Sequence, residues 1–352
     1  MNNFEYLRYK IKDNPTLRML FFELTKSCNL KCKHCGSSCP TVDAKHIVPT
    51  EKLKEVVDEV TSVMPKRQLM FVMTGGEPLL RPDWFEICSY IGNKGYSWGM
   101  TTNATLIDDE TIEKLREAKL ASIGISLDGL KESHEALRQV PGCFDKAVTA
   151  IDKLVKSKYF RAVQIITVVS TLNIGELEQI YNLVKSLGVD SWKLTAIEPI
   201  GEARSNKSLF LSNNQYIELL DFIKSKRELN ELDVTYGCAH QFPEEYEEKV
   251  RYKRFICGSG TFVASIDSDG NILPCLDVDR RELVTQGSIY EDSFLDTWYN
   301  KFEMFRENQA LVSDKCHGCE YIHSCQGGAW HTWDFDRWEQ PVCLIKSLNG
   351  GN

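Results

Sequence analysis

The sequence predicts an α/β protein, a partial (β/α)6 barrel followed by a small cysteine-rich C-terminal extension. Three observations carry this. Apolar, strand-like runs alternate with helix-patterned segments from Leu17 to Asn230, and such alternation builds a parallel sheet covered by helices. The alternation stops near Thr235, where short strands and turns take over. The thirteen cysteines are also divided: four lie between Cys28 and Cys39, seven between Cys238 and Cys343, and only Cys88 and Cys143 between. The expected domains are a lead-in over 1–16, a TIM-like barrel over 17–234 and a metal-cluster-binding extension over 235–352.

The first strand is Leu17–Leu24, apolar and partly alternating, and it delivers the chain into Cys28-Asn29-Leu30-Lys31-Cys32-Lys33-His34-Cys35. Thr50 caps a helix whose Leu53, Val56, Val57, Val60 and Val63 recur at helical spacing. Leu69–Met73 is a continuous apolar strand running into Thr74-Gly75-Gly76-Glu77-Pro78. The helix Asp83–Lys94 carries Cys88 within its apolar pattern, so that thiol is read as core. Strands Ser97–Thr102, Ala121–Leu127, Val163–Val169 and Ser191–Ala196 follow. Helices Asp108–Glu117, Phe144–Ser157, Gly175–Leu187 and Asn213–Asn230 alternate with them. Cys143, after Pro141-Gly142, reads as a loop thiol. In barrels chemistry gathers at the C-terminal ends of the strands. The cysteine loop, Gly75-Gly76-Glu77, Asn103 and Asp128 all fall there. Val263–Pro274 reads as a hairpin about Asp269-Gly270. Asp267 and Asp269 suggest a calcium loop, but its downstream acidic ligand is missing, so a turn is expected.

Composition excludes several classes. A net charge of −8 gives no reason to expect a nucleic-acid partner. No run approaches the roughly 18 apolar residues of a membrane span, and the N-terminus lacks a signal-peptide layout. The chain therefore reads as cytoplasmic. That compartment keeps thiols reduced, so the cysteines point to metal rather than to disulfides.

Three thiolates on one short loop, Cys28, Cys32 and Cys35, can hold three irons of a cubane cluster and leave the fourth open to a ligand. On spacing alone two alternatives stay open. One is zinc, with His34 or Cys39 as fourth ligand; the other is buried apolar cysteines.

The Gly75-Gly76-Glu77-Pro78 loop after the second strand changes the balance. With Asn103 after the third strand and Ser126-Leu127-Asp128-Gly129 after the fourth, the stretch Met19–Gly201 resembles the radical S-adenosylmethionine enzymes. The resemblance implies a [4Fe-4S] cluster on Cys28, Cys32 and Cys35, with S-adenosyl-L-methionine on its open iron. It also implies cofactor-binding roles for His34, Gly75, Gly76, Glu77, Pro78, Asn103, Ser126, Asp128, Arg138 and Ile197. Glycines at 75 and 76 let backbone carbonyls approach the cofactor's amine. Glu77 fixes that loop or adds charge, Ser126 and Asp128 face the ribose, and Arg138 pairs with the carboxylate. Turn and solvated-helix roles are the plainer readings of Asp128 and Arg138.

The C-terminal cysteines resemble the SPASM extension of that superfamily, which holds auxiliary iron–sulfur clusters. Cys316, Cys319, Cys325 and Cys343 make one complete set by this resemblance. A second set has Cys257 and Cys275 but carries Ala329 where a ligand is expected. Cys238 is the candidate replacement and His240 a weaker one, so one or two auxiliary clusters are implied. Zinc is the alternative for the four-cysteine set.

The implied chemistry is reductive cleavage of S-adenosylmethionine and hydrogen abstraction by a 5′-deoxyadenosyl radical. Relatives with this extension most often act on peptides or proteins. The first expectation is a maturase of a ribosomally made peptide, forming a thioether, a carbon–carbon crosslink or an epimer. The second is a sulfatase-type maturase making formylglycine; there Leu276 stands where such enzymes carry the base, and Asp277 follows as a catalytic candidate. The third is a non-catalytic electron-transfer or metal-binding protein, which has no need of the Gly-Gly-Glu-Pro loop. The expected partners are the peptide substrate and an external one-electron donor such as flavodoxin or ferredoxin. Because the barrel begins near Leu17, leader recognition is expected from the barrel, the extension or a separate leader-binding protein. Trp330, Trp333, Phe335 and Trp338 read as core packing rather than an interaction surface.

Overall fold

The computed structural model describes residues 3–39 and 47–349. Helix α1 (Asn3–Asp13) precedes β1 (Met19–Glu23). The alternation then runs α2 (Thr50–Val63), β2 (Met70–Thr74), α3 (Trp84–Asn93), β3 (Ser97–Thr102), α4 (Asp109–Glu117) and β4 (Ser122–Ser126). Next come α5 (Lys131–Arg138), α6 (Cys143–Ser157), β5 (Ala162–Val169), α7 (Leu177–Ser186), β6 (Ser191–Ala196), α8 (Asn213–Leu229) and β7 (Asp233–Tyr236). Strands β1 to β7 are parallel and adjacent in chain order.

The expected strands and helices are present, with differences that have physical reasons. A seventh parallel strand, β7, follows the sixth round; at four residues it is too short for its pattern to show. α5 is also new, eight residues long and largely polar. After α9 (Glu244–Val250), β8 (Val263–Ile266) pairs parallel with β1 on the opposite edge. β9 (Asn271–Leu273) and β10 (Gly287–Ser288) continue the same sheet antiparallel. The expected hairpin is thus β8–β9, and Asp267 caps its turn by accepting from the Asp269 and Asn271 amides. The expected boundary at 234/235 falls inside β7, and the sheet carries on across it. The lead-in is not free-standing. α1 packs on the extension, with Arg8 donating to Ser324 O (2.6 Å) and Lys12 to Glu307 O (2.6 Å).

Strand alternation sorts the side chains onto two faces. In β5, Val163, Ile165, Thr167 and Val169 are buried, while Ile166 and Val168 line the central cavity. In β6, Trp192 and Leu194 are buried and Lys193 and Thr195 face the cavity. Cys88 lies in the core, as expected. Cys143 corrects its expectation: it opens α6 and is buried with Cys28 and Leu30. Trp330, Trp333 and Phe335 are core residues, with Trp330 stacked on Phe335 at 5.9 Å.

Candidate active site and auxiliary thiol sites

One cavity of about 410 Å3 opens at the C-terminal ends of the barrel strands. Cys28, Cys32, Cys35 and Cys39 line it, as do His34, Gly75, Gly76, Asn103, Ser126, Arg138 and Ile197. Cys238, Cys275, Asp277 and His331 line it from the side of the extension. The first-loop thiols thus share a cavity with two thiols of the incomplete set, brought there from over 200 residues away.

The loops that form this mouth are locked to one another. Gly76 N donates to Thr25 O and Glu77 N to Ser27 O, both at 2.8 Å. A Cβ on Gly76 would lie 2.2 Å from Ser27 O, so glycine is required by the close approach of two backbones. Glu77 is fully buried and does not line the cavity. Its Oε1 accepts from Thr102 Oγ1 (2.8 Å) and Leu79 N (3.2 Å), and its Oε2 from Asn103 N (2.8 Å). It is therefore the brace of the loop, one of the two roles expected. Burial raises its carboxyl to about 7 against these three hydrogen bonds. Pro78 starts the short turn behind it and is buried. Asn103 reaches back to Asn29 Oδ1 at 2.9 Å and points its amide at Cys28 Sγ at 4.0 Å.

Asp128 corrects its expected role. It is fully buried and does not line the cavity. Its Oδ2 accepts from Arg138 Nε and meets Arg138 Nη2, both at 2.7 Å, and lies 3.2 Å from His34 Nε2. Its Oδ1 accepts from Val168 N at 3.0 Å. Arg138 and His34 meet Oδ2 and the Val168 amide meets Oδ1, so the carboxylate holds these groups in place beneath the mouth. Burial opposes its ionisation, but Arg138 and His34 outweigh it and hold the carboxyl well below the usual range. Arg138 is buried in turn and extends Nη1 to 3.8 Å from Cys32 Sγ, so α5 places a fixed cation against one cluster thiol. His34 Nδ1 is buried without a partner among the described residues.

The segment around Ile197 is pinned as well. Ile197 N donates to Val169 O at 2.8 Å, and Glu202 N to Cys35 O at 2.8 Å. A Cβ on Gly201 would lie 2.1 Å from Cys35 O, and its φ of +50° also favours glycine. The Cys35 thiol is held below its ordinary value, chiefly by a hydrogen bond from the Cys39 thiol. Burial pushes Cys32 up to about 12, with Arg138 opposing.

The donors fit the implied groups. Cys28, Cys32 and Cys35 line one cavity together with Gly75 and Gly76, and the Asp128 carboxylate beneath it is engaged by Arg138. In the extension, Cys316, Cys319, Cys325 and Cys343 line one small pocket of about 40 Å3. Ala329 is buried core and leaves no donor. Cys238 opens onto the central cavity, and its thiol interacts electrostatically with Cys257 while Cys275 feels both. His240 is fully engaged: Nε2 meets Glu198 Oε1 (2.8 Å) and Nδ1 meets Gln340 Nε2 (2.9 Å). Asp277 faces the cavity, near His331.

Sequence reasoning missed Lys193, Glu198 and His331, all in the cavity lining. Lys193 left a signal, since it alternates with the large apolar Trp192 and Leu194 in its strand and so must face the side opposite to theirs. His331 left none, because its position depends on the fold of the extension.

The Radical SAM superfamily model matches residues 22–184. The SPASM model, an iron–sulfur cluster-binding domain, matches residues 257–320. AdoMet-dependent heme synthase from Methanosarcina barkeri is 32% identical over 351 residues, covering 94% of this chain and 97% of that protein. Mycofactocin maturase MftC from Mycobacterium tuberculosis is 28% identical over 313 residues, covering 88% of this chain and 77% of that protein. Streptococcus suis SuiB bound to S-adenosylmethionine shares the fold with a TM-score of 0.72 at 17% identity, covering 93% of this chain and 76% of SuiB.

Proposed function

Because the chain belongs to the radical SAM superfamily and carries its SPASM iron–sulfur extension, we propose that it oxidises a residue of a ribosomally made peptide held between the two. When bound, S-adenosylmethionine and the barrel cluster supply one-electron chemistry able to remove hydrogen from an unactivated C–H bond. The observation that carries the reading is the shared cavity, where Cys28, Cys32 and Cys35 face Cys238, Cys275 and Asp277. A substrate lodged there touches the hydrogen-abstracting side and the electron-accepting side at once. A one-electron donor of the ferredoxin or flavodoxin kind primes the barrel site.

The chain's own residues orient and balance charge. Gly75 and Gly76 bare the backbone, while Glu77 and Asp128 hold the loops and Arg138 rigid from beneath. Lys193, without a hydrogen bond or ion pair among the described residues, offers a positive charge to an acidic group of the substrate. In this reading the Asp277 carboxylate, which lines the cavity, takes the proton that leaves the oxidised substrate. Kinship with the MftC maturase supports the peptide class. The formylglycine reading loses support from Leu276, since the base sits one position later at Asp277.

A second reading, an iron tetrapyrrole as substrate, is favoured by the near full-length kinship with the heme synthase. One experiment separates them. The anaerobically reconstituted enzyme is given S-adenosylmethionine, reductant, and either precursor peptides encoded beside its gene or an iron tetrapyrrole. 5′-Deoxyadenosine formed with a peptide that has lost hydrogen supports the first reading. Unchanged peptides with consumed tetrapyrrole sink it in favour of the second. No 5′-deoxyadenosine under any condition sinks both.

A further inference from the structure

α1 brings two cations into the interior of the extension. Arg8 is 1% exposed and Lys12 is 5% exposed. Among the described residues neither forms an ion pair with a carboxylate. The Arg8 Nη1 donates to Phe255 O (3.2 Å) and to Ser324 O (2.6 Å). Its Nε is buried with no hydrogen-bond partner among the described residues. Those two carbonyls are informative. Phe255 lies two residues before Cys257 of the inner thiol set, and Ser324 lies immediately before Cys325 of the outer set.

One guanidinium therefore bridges the backbone segments that carry a thiol of each set. It interacts electrostatically with both Cys257 and Cys325, and Lys12 interacts with Cys257. Arg8 also feels the buried Glu247 carboxylate, which the Phe242 and Phe255 amides and Arg251, 3.5 Å away, already occupy, and Lys12 feels the solvent-exposed Glu307. Burying cations without compensation is strongly unfavourable. The compensation those carboxylates leave to be supplied can come from thiolate: iron–sulfur cores ligated by cysteine carry net negative charge, and nearby charge and hydrogen bonding set their potentials.

We propose that α1 is a cationic clamp for both auxiliary sites, in which Arg8 ties their ligand segments together and Arg8 with Lys12 balances their charge. Reduction adds an electron to an already negative core, so these cations favour the reduced form. Arg8 and Lys12 are positioning residues that act through the thiols. The proposal rests on the extension holding iron–sulfur clusters and not on which substrate the barrel takes.

The test is an EPR-monitored redox titration, with iron counted per chain, of reconstituted wild type, Arg8→Gln, Arg8→Lys and Lys12→Met. The expected result is auxiliary signals that titrate lower in Arg8→Gln and Lys12→Met. The reduction equilibrium should fall at least tenfold, about 59 mV for one electron. Arg8→Lys should recover most of the shift, and the barrel cluster should titrate as in wild type. Wild-type auxiliary potentials in both Arg8→Gln and Lys12→Met overturn the proposal. If Arg8→Gln fails to fold, Lys12→Met decides alone, because it leaves both Arg8 carbonyl contacts in place. A wild type that forms 5′-deoxyadenosine but binds no auxiliary iron overturns the clamp while leaving the barrel chemistry standing.

Discussion

Replacing Asp128 by asparagine tests whether the barrel mouth is held by a buried charge. The amide retains an oxygen for the Val168 amide, now 3.0 Å from Oδ1. It removes the charge that faces Arg138 at 2.7 Å and His34 at 3.2 Å. Arg138 then stays buried beside Cys32 with no anion to meet it. Stranding one partner of a buried pair costs about 3–5 kcal/mol, a large share of a stability on the order of 5–15 kcal/mol. Urea unfolding of the cluster-free protein, followed by far-UV circular dichroism under reductant, reads this directly. Arg138→Met added to Asp128→Asn removes the stranded cation and should restore about 1 kcal/mol or more, a coupling that neither change shows alone. An Asp128→Asn protein within about 1 kcal/mol of wild type, or a double variant no better than the single one, would refute the reasoning.

Other outcomes follow from single residues. Glu77 titrates near 7 in the folded chain against an ordinary 4.5, so the folded state binds its proton more tightly. Stability should then fall as pH rises from about 4.5 to 7, by about 3 kcal/mol in all; Glu77→Gln should flatten that slope in urea midpoints, and an unchanged slope would count against the assignment. Gly76→Ala drives a Cβ to 2.2 Å from a backbone oxygen. Its S-adenosylmethionine affinity by calorimetry should drop at least tenfold, about 1.4 kcal/mol, and wild-type affinity would contradict the close-packing account. Cys238→Ala should lower the iron count of the extension while His240→Ala leaves it unchanged, since both His240 nitrogens are already engaged; the reverse pattern would make His240 the ligand.

The first-loop thiols and the Gly-Gly-Glu-Pro loop were legible because their chemistry needs close spacing along one segment, and strand ends are where such loops collect. The four-cysteine set was legible for the same reason, as three of its members lie within ten residues. Ala329 was legible as a gap, but not its remedy. Cys238 and His240 are two residues apart, and only contacts from Glu198 and Gln340 show that the histidine is already engaged. Asp128 was placed correctly at a strand end, yet a one-dimensional pattern does not say whether a side chain turns into the mouth or beneath it. That depends on α5, whose arginine claims the carboxylate.

By itself, then, the sequence determined the alternating barrel and the cofactor class, because periodicity and motif spacing are local properties. The tertiary structure alone decided which wall each thiol faces, that Lys193 and His331 join the cavity, and that α1 closes on residues some 250 to 320 positions away. The physical reason is that burial, charge pairing and side-chain direction are settled by partners distant in the chain. No local pattern encodes which of those partners will arrive.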